Sequence, residues 1–335
     1  HHSTRHITLL LSLIIGVCTG LAAFVLKFLI ETIRHQLTQH FNLSETNSLF
    51  LIYPAIGILL TAIFVKYVVK DDISHGVTKI LYAISRQRAR IKPHNRWTSI
   101  IASAITIGFG GSVGAEAPIL LTGSALGSDL GKRFHLPAQT LMLLVGCGAA
   151  GAVSAIFNAP IAGIMFVLEV LMLDLNMSSL LPLLVTGITS VCVSYVLTGT
   201  ESMFSFSIDQ AFTIDIIPGC LLLGVVCGLI SLYFTRTMNW FENIFAQLKA
   251  PWKRFLLGAT VLGLLIFFFP ALYGEGYDVI SQMINNASPS DIMHNTLFYG
   301  KDSNLFLYLG LVLLFKVFAT TATNGSGGVG GVFAP

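Results

Sequence analysis

An all-α protein of membrane-crossing helices, several of them broken, is what the amino-acid sequence predicts, on three observations. The chain is 54% hydrophobic and 10% charged with a mean hydropathy of +0.78, whereas soluble domains carry roughly 25% charged residues. Its apolar residues fall into many separate runs. Several of these are shorter than the roughly 20 residues that a bilayer crossing needs. Short segments interrupted by glycine or proline are how discontinuous helices around a midplane site read in sequence.

The runs predict helices in chain order. The first, Ile7–Arg34, is too long for the core of a secretory leader and shows no evident cleavage site, so it is kept as a helix. Leu49–Val69 follows, then a short helix after Gly76, then Trp97–Gly108 and Ala117–Lys132 on either side of a glycine-rich break. Pro137–Ala155, Pro160–Leu173 and Leu181–Leu197 are the next apolar runs. Ile214–Phe245, Phe255–Leu272, a short helix near Tyr277–Ile284, and Leu305–Ala322 complete the series.

Basic residues orient these helices. The hydrophilic stretch Gln36–Ser48 has Glu45 as its one charge, and no Lys or Arg lies between Arg34 and Lys66. The next hydrophilic stretch holds Arg86, Arg88, Arg90, Lys92 and Arg96 without an acid, which the positive-inside rule places in the cytoplasm. The amino terminus is then cytoplasmic too and the chain crosses the cell membrane many times. No Lys or Arg occurs between Phe134 and Thr235, so the loop Gly199–Phe212 is expected outside, while Lys249, Lys253 and Arg254 mark an internal turn. The net charge of +3 is small, so no nucleic-acid partner is expected. Cys18, Cys147, Cys192, Cys220 and Cys227 lie in apolar runs without CxxC spacing. They read as small buried hydrophobes, and neither a metal nor a cofactor is expected.

The stretch that organises the chain is Gly108–Pro118, GFGGSVGAEAP. Glu116 is the one ionisable side chain between Trp97 and Ser128. An acid inside a membrane segment is costly and faces a protein interior or an aqueous path. Four glycines before it disfavour a continuous helix. The window reads as a broken helix with a carboxylate at the break, or else as a surface loop between two helices. A second copy closes the chain: Gly331-Val332-Phe333-Ala334-Pro335 matches Gly114-Ala115-Glu116-Ala117-Pro118 at the glycine, the second alanine and the proline. Coincidence in Gly/Ala-rich sequence is one account of the match; paired structural repeats, residues 1–200 and 201–335, are the other.

A helix beginning at Ala117-Pro118 turns unpaired N–H groups and the positive end of its dipole toward the break, which attracts anions. Glycines let an ion approach the amides. Glu116 is a tethered anion able to occupy the same place, so a mobile anion competes with it and protonation releases the site. The second copy offers amides at Val332 and Phe333, with Phe333 as a packing or constriction residue. A third glycine frame, Ser74-His75-Gly76-Val77, opens a short helix; His75 either donates to an anion and titrates near neutrality or caps the helix.

At these residues the chain resembles the CLC family of chloride channels and proton-coupled chloride transporters. The family's GSGIP segment resembles Ser74-His75-Gly76-Val77-Thr78, its GREGP segment Gly114–Pro118, its NAPLAG segment Asn158-Ala159-Pro160-Ile161-Ala162-Gly163, and its GxFAP segment Gly331–Pro335. The resemblance implies a fold of many tilted, discontinuous helices in two inverted repeats, the second incomplete within these 335 residues. It also implies a homodimer in the bilayer with one anion path per subunit, lined by His75, Gly76, Ala115, Ala117, Val332 and Phe333 and gated by Glu116. His75 stands where the family commonly has a serine that touches the central anion, Thr78 replaces a proline, and Ala115 replaces the arginine of GREGP. Val170 stands where proton exchangers often carry an internal glutamate, right after Glu169. The tyrosine of the family's last helix has no counterpart before Pro335, so these residues are expected to need the remainder of the family's length in order to conduct.

The expected function is therefore passage of a small anion, chloride foremost, gated by Glu116 and channel-like because of Val170. Chloride/proton exchange through another proton path and a fluoride-selective relative are the alternatives. A membrane-embedded enzyme using Glu116 and His75 as an acid/base pair has little support, since no GxSxG or HExxH motif occurs.

Overall fold

The computed structural model describes residues 2–41, 46–73, 76–172, 177–199, 204 and 213–335. Within them the chain is helical and contains no named strand, and one isolated antiparallel bridge joins Gly114 to Gly331. The helices are α1 (His2–Thr38), α2 (Tyr53–Phe64, extended by one π turn, Val65–Val69), α3 (Gly76–Arg86), α4 (Thr98–Gly108) and α5 (Glu116–Arg133). They continue with α6 (Ala138–Phe157), α7 (Pro160–Leu171), α8 (Met177–Thr198) and α9 (Ile217–Gln247). The last are α10 (Pro251–Phe268), α11 (Tyr277–Ile284), α12 (Pro289–Ile292) and α13 (Leu305–Gly325). Seven of the described helices are long and apolar enough to cross a membrane, and α4 and α7 are shorter apolar helices.

The expected elements are present, with ends moved for identifiable reasons. The run Phe255–Leu272 is not one helix: α10 stops at Phe268, and Pro270–Leu272 forms a separate 3₁₀ turn. Pro270 supplies no N–H and restricts the residue before it, and Phe269 accordingly takes φ −131° and ψ 78°. α6 runs to Phe157 rather than Ala155 and ends on Asn158 in the left-handed region, φ 53°. α5 begins at Glu116, one residue earlier than expected. The boundary at residue 200 lies outside the described residues, as do Leu173 and most of the loop Gly199–Phe212.

Two cores organise the bundle. In the first, α5 packs on α6, with α3, α7 and α8 around them, through Leu120, Leu121, Val145, Val153 and Val167. Glycines make that approach close. A Cβ at Gly123 would collide with the carbonyl of Gly148, and one at Gly127 with that of Leu144. Gly123, Gly127 and Gly131 are spaced four apart on one face of α5, the small-residue pattern that lets membrane helices touch at their backbones. The second core joins α2, the end of α9, α10 and α13 around aromatic rings, among them Phe241 of α9, Phe269, Tyr273 and Tyr308. The most apolar stretch of α9 buries none of its residues and suits lipid contact.

The basic stretch Arg86–Arg96 is more than a solvated mark of orientation. Arg96 and Arg133 both pair with Asp129 near the end of α5, at 2.8 and 3.1 Å. The Ser128 hydroxyl donates to the Ala89 carbonyl at 2.9 Å and accepts from the Ile91 amide at 3.0 Å. Asp71 draws together Lys79, Lys92 and His94 at 3.1–3.2 Å. Through Ser128 and Asp129 the far end of α5 from Glu116 is pinned to the basic stretch.

Candidate functional site

The break between α4 and α5 is built by satisfying its backbone. α4 ends where Gly110 takes φ +106°, a conformation that suits glycine. The Tyr273 hydroxyl donates to the freed Gly108 carbonyl at 2.6 Å. Threonines supply further partners, here and at the second frame. Thr320 donates to the Ser112 carbonyl at 2.8 Å, the Ser112 amide donates to the Thr323 hydroxyl at 3.1 Å, and the Val329 amide donates to the Thr106 hydroxyl at 3.1 Å. Non-helical backbone at membrane depth is tolerated only when it is satisfied inside protein in this way.

These bonds bring the two glycine frames face to face. Gly114 and Gly331 exchange both backbone hydrogen bonds, at 3.0 and 2.7 Å. Glu116 then reaches across. Its Oε1 accepts from the Phe333 amide at 2.8 Å and from the Ala334 amide at 3.0 Å, and the residue is only 4% exposed. Its Oε2 is buried and has no hydrogen-bond partner among the described residues. The carboxylate occupies the space that a side chain would need at both glycines, since a Cβ on either Gly114 or Gly331 would overlap it. Both frames therefore have to be glycine for the acid to sit between them.

The other residues singled out in the sequence distribute around this point. Ala115 and Ala117 are buried at the start of α5. Gly76 begins α3 directly against it, where a Cβ would stand 2.8 Å from the Ala117 carbonyl oxygen. Ser74 and His75 lie outside the described residues. Phe333 is 52% exposed and rests edge-on against Phe166 of α7, centroids 5.3 Å apart. The amides on Glu116 are those of Phe333 and Ala334; Val332, half-buried, is the residue between Gly331 and this pair. Val170 lies one turn beyond Phe166 and packs against the first core. Glu169 is exposed.

Three charged residues belong to the site that sequence reasoning passed over. Glu275, in Gly274-Glu275-Gly276, accepts from the Ala115 amide at 2.8 Å. Lys316 of α13 donates to the Ser112 hydroxyl at 2.9 Å and to the carbonyls of Gly274 and Glu275 at 3.1 and 3.3 Å. Lys27 of α1 lines, with Glu116 and Glu275, a cavity of about 460 Å³ at the C-terminal end of α1. A lone ion in an apolar run was the signal that found Glu116. Lys27 and Lys316 carry the same signal, and Glu275 is an acid flanked by glycines on both sides.

Comparison with known proteins agrees with this architecture. Residues 56–335 match the model of the family described as voltage gated chloride channel. A voltage-gated ClC-type chloride channel, ClcB, of Escherichia coli O17:K52:H18 (strain UMN026 / ExPEC) is 30% identical over 239 residues, 70% of this chain and 53% of the relative. The chain thus spans about half the length of the curated relatives it matches. A CLC-type fluoride/proton antiporter of known structure superposes with a TM-score of 0.78 at 25% identity, over 97% of this chain and 77% of that one. A slow cyanobacterial Cl⁻/H⁺ antiporter superposes with a TM-score of 0.80 at 19% identity, over 98% and 76%, which speaks to the fold. With its broken helices, paired glycine frames and multi-pass apolar composition, the chain belongs to the voltage gated chloride channel family.

Proposed function

We propose that the protein passes small anions, chloride foremost, across the cell membrane, with Glu116 as the gate. The observation that carries this is the seat of the Glu116 carboxylate: a buried anion held by two backbone amides between two glycines. A halide has the same needs, namely N–H donors and no side chain in the way. It can take the place of the carboxylate when Glu116 swings out or is protonated. Membership of the family supports the substrate class. Val170, apolar, partly buried and packed against the first core, favours a passive path over one that hands protons inward. Homodimeric assembly, a cytoplasmic amino terminus, the paired repeats 1–200 and 201–335, an anion contact from His75 and a non-enzymatic role belong to the same proposal.

Proton-coupled exchange, with fluoride as a candidate substrate, is the second reading. It is favoured by the likeness to the fluoride/proton antiporter and by Glu116 Oε2, which is buried without a partner among the described residues and able to carry a proton. Reversal potentials of the full-length protein under crossed chloride and proton gradients separate the two. A potential that ignores the proton gradient is expected; a shift with fixed stoichiometry overturns passive conduction. Efflux of fluoride in preference to chloride from proteoliposomes would replace the substrate.

A further inference from the structure

Glu275 does at the first glycine frame what Glu116 does at the second. Glu116, from the first frame, holds the amides of Phe333 and Ala334; Glu275, from the second half of the chain, holds the amide of Ala115, at the N-terminal end of α5. Gly274 and Gly276 flank it with φ +69° and +94°, so its backbone follows a path other residues rarely take. Both carboxylates line the same cavity, and the Oε2 of Glu116, without a hydrogen-bond partner among the described residues, is buried there.

The charges around Glu275 come from several elements. Those of Glu116, Lys27 and Lys316 reach it, and the Tyr277 phenol of α11 lies in the field of both acids. Glu31 and the Arg34–Asp278 pair line the same cavity. Lys316 is occupied by its three hydrogen bonds, whereas Lys27 makes no hydrogen bond or ion pair with a described residue. If the Glu275 carboxylate leaves, the Ala115 N–H and the Lys27 ammonium remain on one cavity as donors for an anion.

We propose that Glu275 is a second tethered anion in series with Glu116, whose carboxylate occupies the Ala115 amide and keeps a mobile halide from the cavity that Lys27 and Ala115 line. Protonating or displacing it admits the ion to the approach to Glu116. This inference rests on anion conduction as the function.

The test is chloride efflux from proteoliposomes holding the full-length protein, measured against external pH and chloride. The proteins compared are wild type, Glu275→Gln, Glu116→Gln and the double variant. Gln keeps an oxygen for the Ala115 amide, removes the charge and turns the second oxygen into an NH2 donor, as protonation turns it into an O–H. Glu275→Gln is expected to raise efflux at neutral pH on the order of fivefold, the equivalent of ~1 kcal/mol. Glu116→Gln is expected to keep a residual pH dependence that the double variant loses. If Glu275→Gln does not fold, Lys27→Met replaces it, with the expectation that more external chloride is needed for half-maximal flux. A Glu275→Gln profile identical to wild type, a Glu116→Gln profile already flat, or an unaltered chloride requirement in Lys27→Met overturns the second gate while leaving anion conduction standing. Wild-type protein that carries neither chloride nor fluoride overturns both.

Discussion

The two Gly-x-x-Ala-Pro frames meet at Gly114 and Gly331 and share one carboxylate, yet they are supported very differently. The first opens α5, whose backbone lies against α6 at Gly123 and Gly148 and whose far end is clamped by Asp129, Ser128 and the basic stretch. The second follows α13 through a turn in which Gly327 takes φ +112°, and it is held by its bridge to Gly114, by Glu116 and by the ring of Phe166. In the proposed gate the first frame is the fixed wall, and the second supplies the Phe333 and Ala334 amides on which the Glu116 carboxylate sits. A gate needs that asymmetry: the hinge of Glu116 has to stay still while its carboxylate changes partners.

The comparison can be broken most completely from the rigid side. Gly123→Val drives a side chain into the Gly148 carbonyl, so α5 and α6 have to separate. A loss of stability above about 3 kcal/mol is expected, at the upper end of overpacking costs. It would be read as loss of monodisperse protein in detergent; a variant that melts like wild type would show that α5 is not the fixed wall.

The amide side is sharpened by Gly331→Ala, whose Cβ would take the space of Glu116 Oε1 while the Phe333 and Ala334 amides remain. The flexible carboxylate gives way more easily than the backbone. The variant is expected to behave like Glu116→Gln, with anion flux raised on the order of fivefold for ~1 kcal/mol of lost seating and with a flatter pH dependence. Flux and pH profile equal to wild type would mean that the acid does not gate from this seat.

A smaller effect tests the cluster of Lys79, Lys92 and His94 around Asp71. Burial acts to raise the Asp71 carboxyl, but hydrogen bonds and charge from Lys92 and Lys79 prevail and hold it below its ordinary value. A depressed carboxyl contributes stability that is full above its unfolded value, near ~4, and is lost as pH falls through the lower folded value. Asp71→Asn is expected to cost about 1–2 kcal/mol at neutral pH, with the gap to wild type closing in acid. Equal melting temperatures at neutral pH would show that the cluster contributes nothing.

Legibility followed the physics of each feature. Helices were readable because a chain that crosses lipid has to bury its backbone polar groups in helical hydrogen bonds and cover them with apolar side chains. Glu116 was readable because an acid among apolar residues is costly in a membrane segment, although the window alone also allowed a surface loop. Glu275 was hidden by its setting: it lies between a 3₁₀ turn and α11, where a charge looks like an ordinary loop residue. The helix break inside Phe255–Leu272 was hidden because its residues are as apolar as a helix, and Pro270 decides it through geometry.

By itself, then, the sequence determined an all-α membrane protein of broken helices, a carboxylate at a glycine break, and a second frame of the same form. Those are local properties, written in hydropathy and in the conformational limits of glycine and proline. Tertiary structure alone decided that the two frames face each other, that Phe333 and Ala334 are the amides Glu116 holds, and that Glu275 and Lys316 stand behind Ala115. Those contacts join residues about two hundred positions apart in several cases, and no local rule sets which N–H meets which carboxylate once the helices have packed.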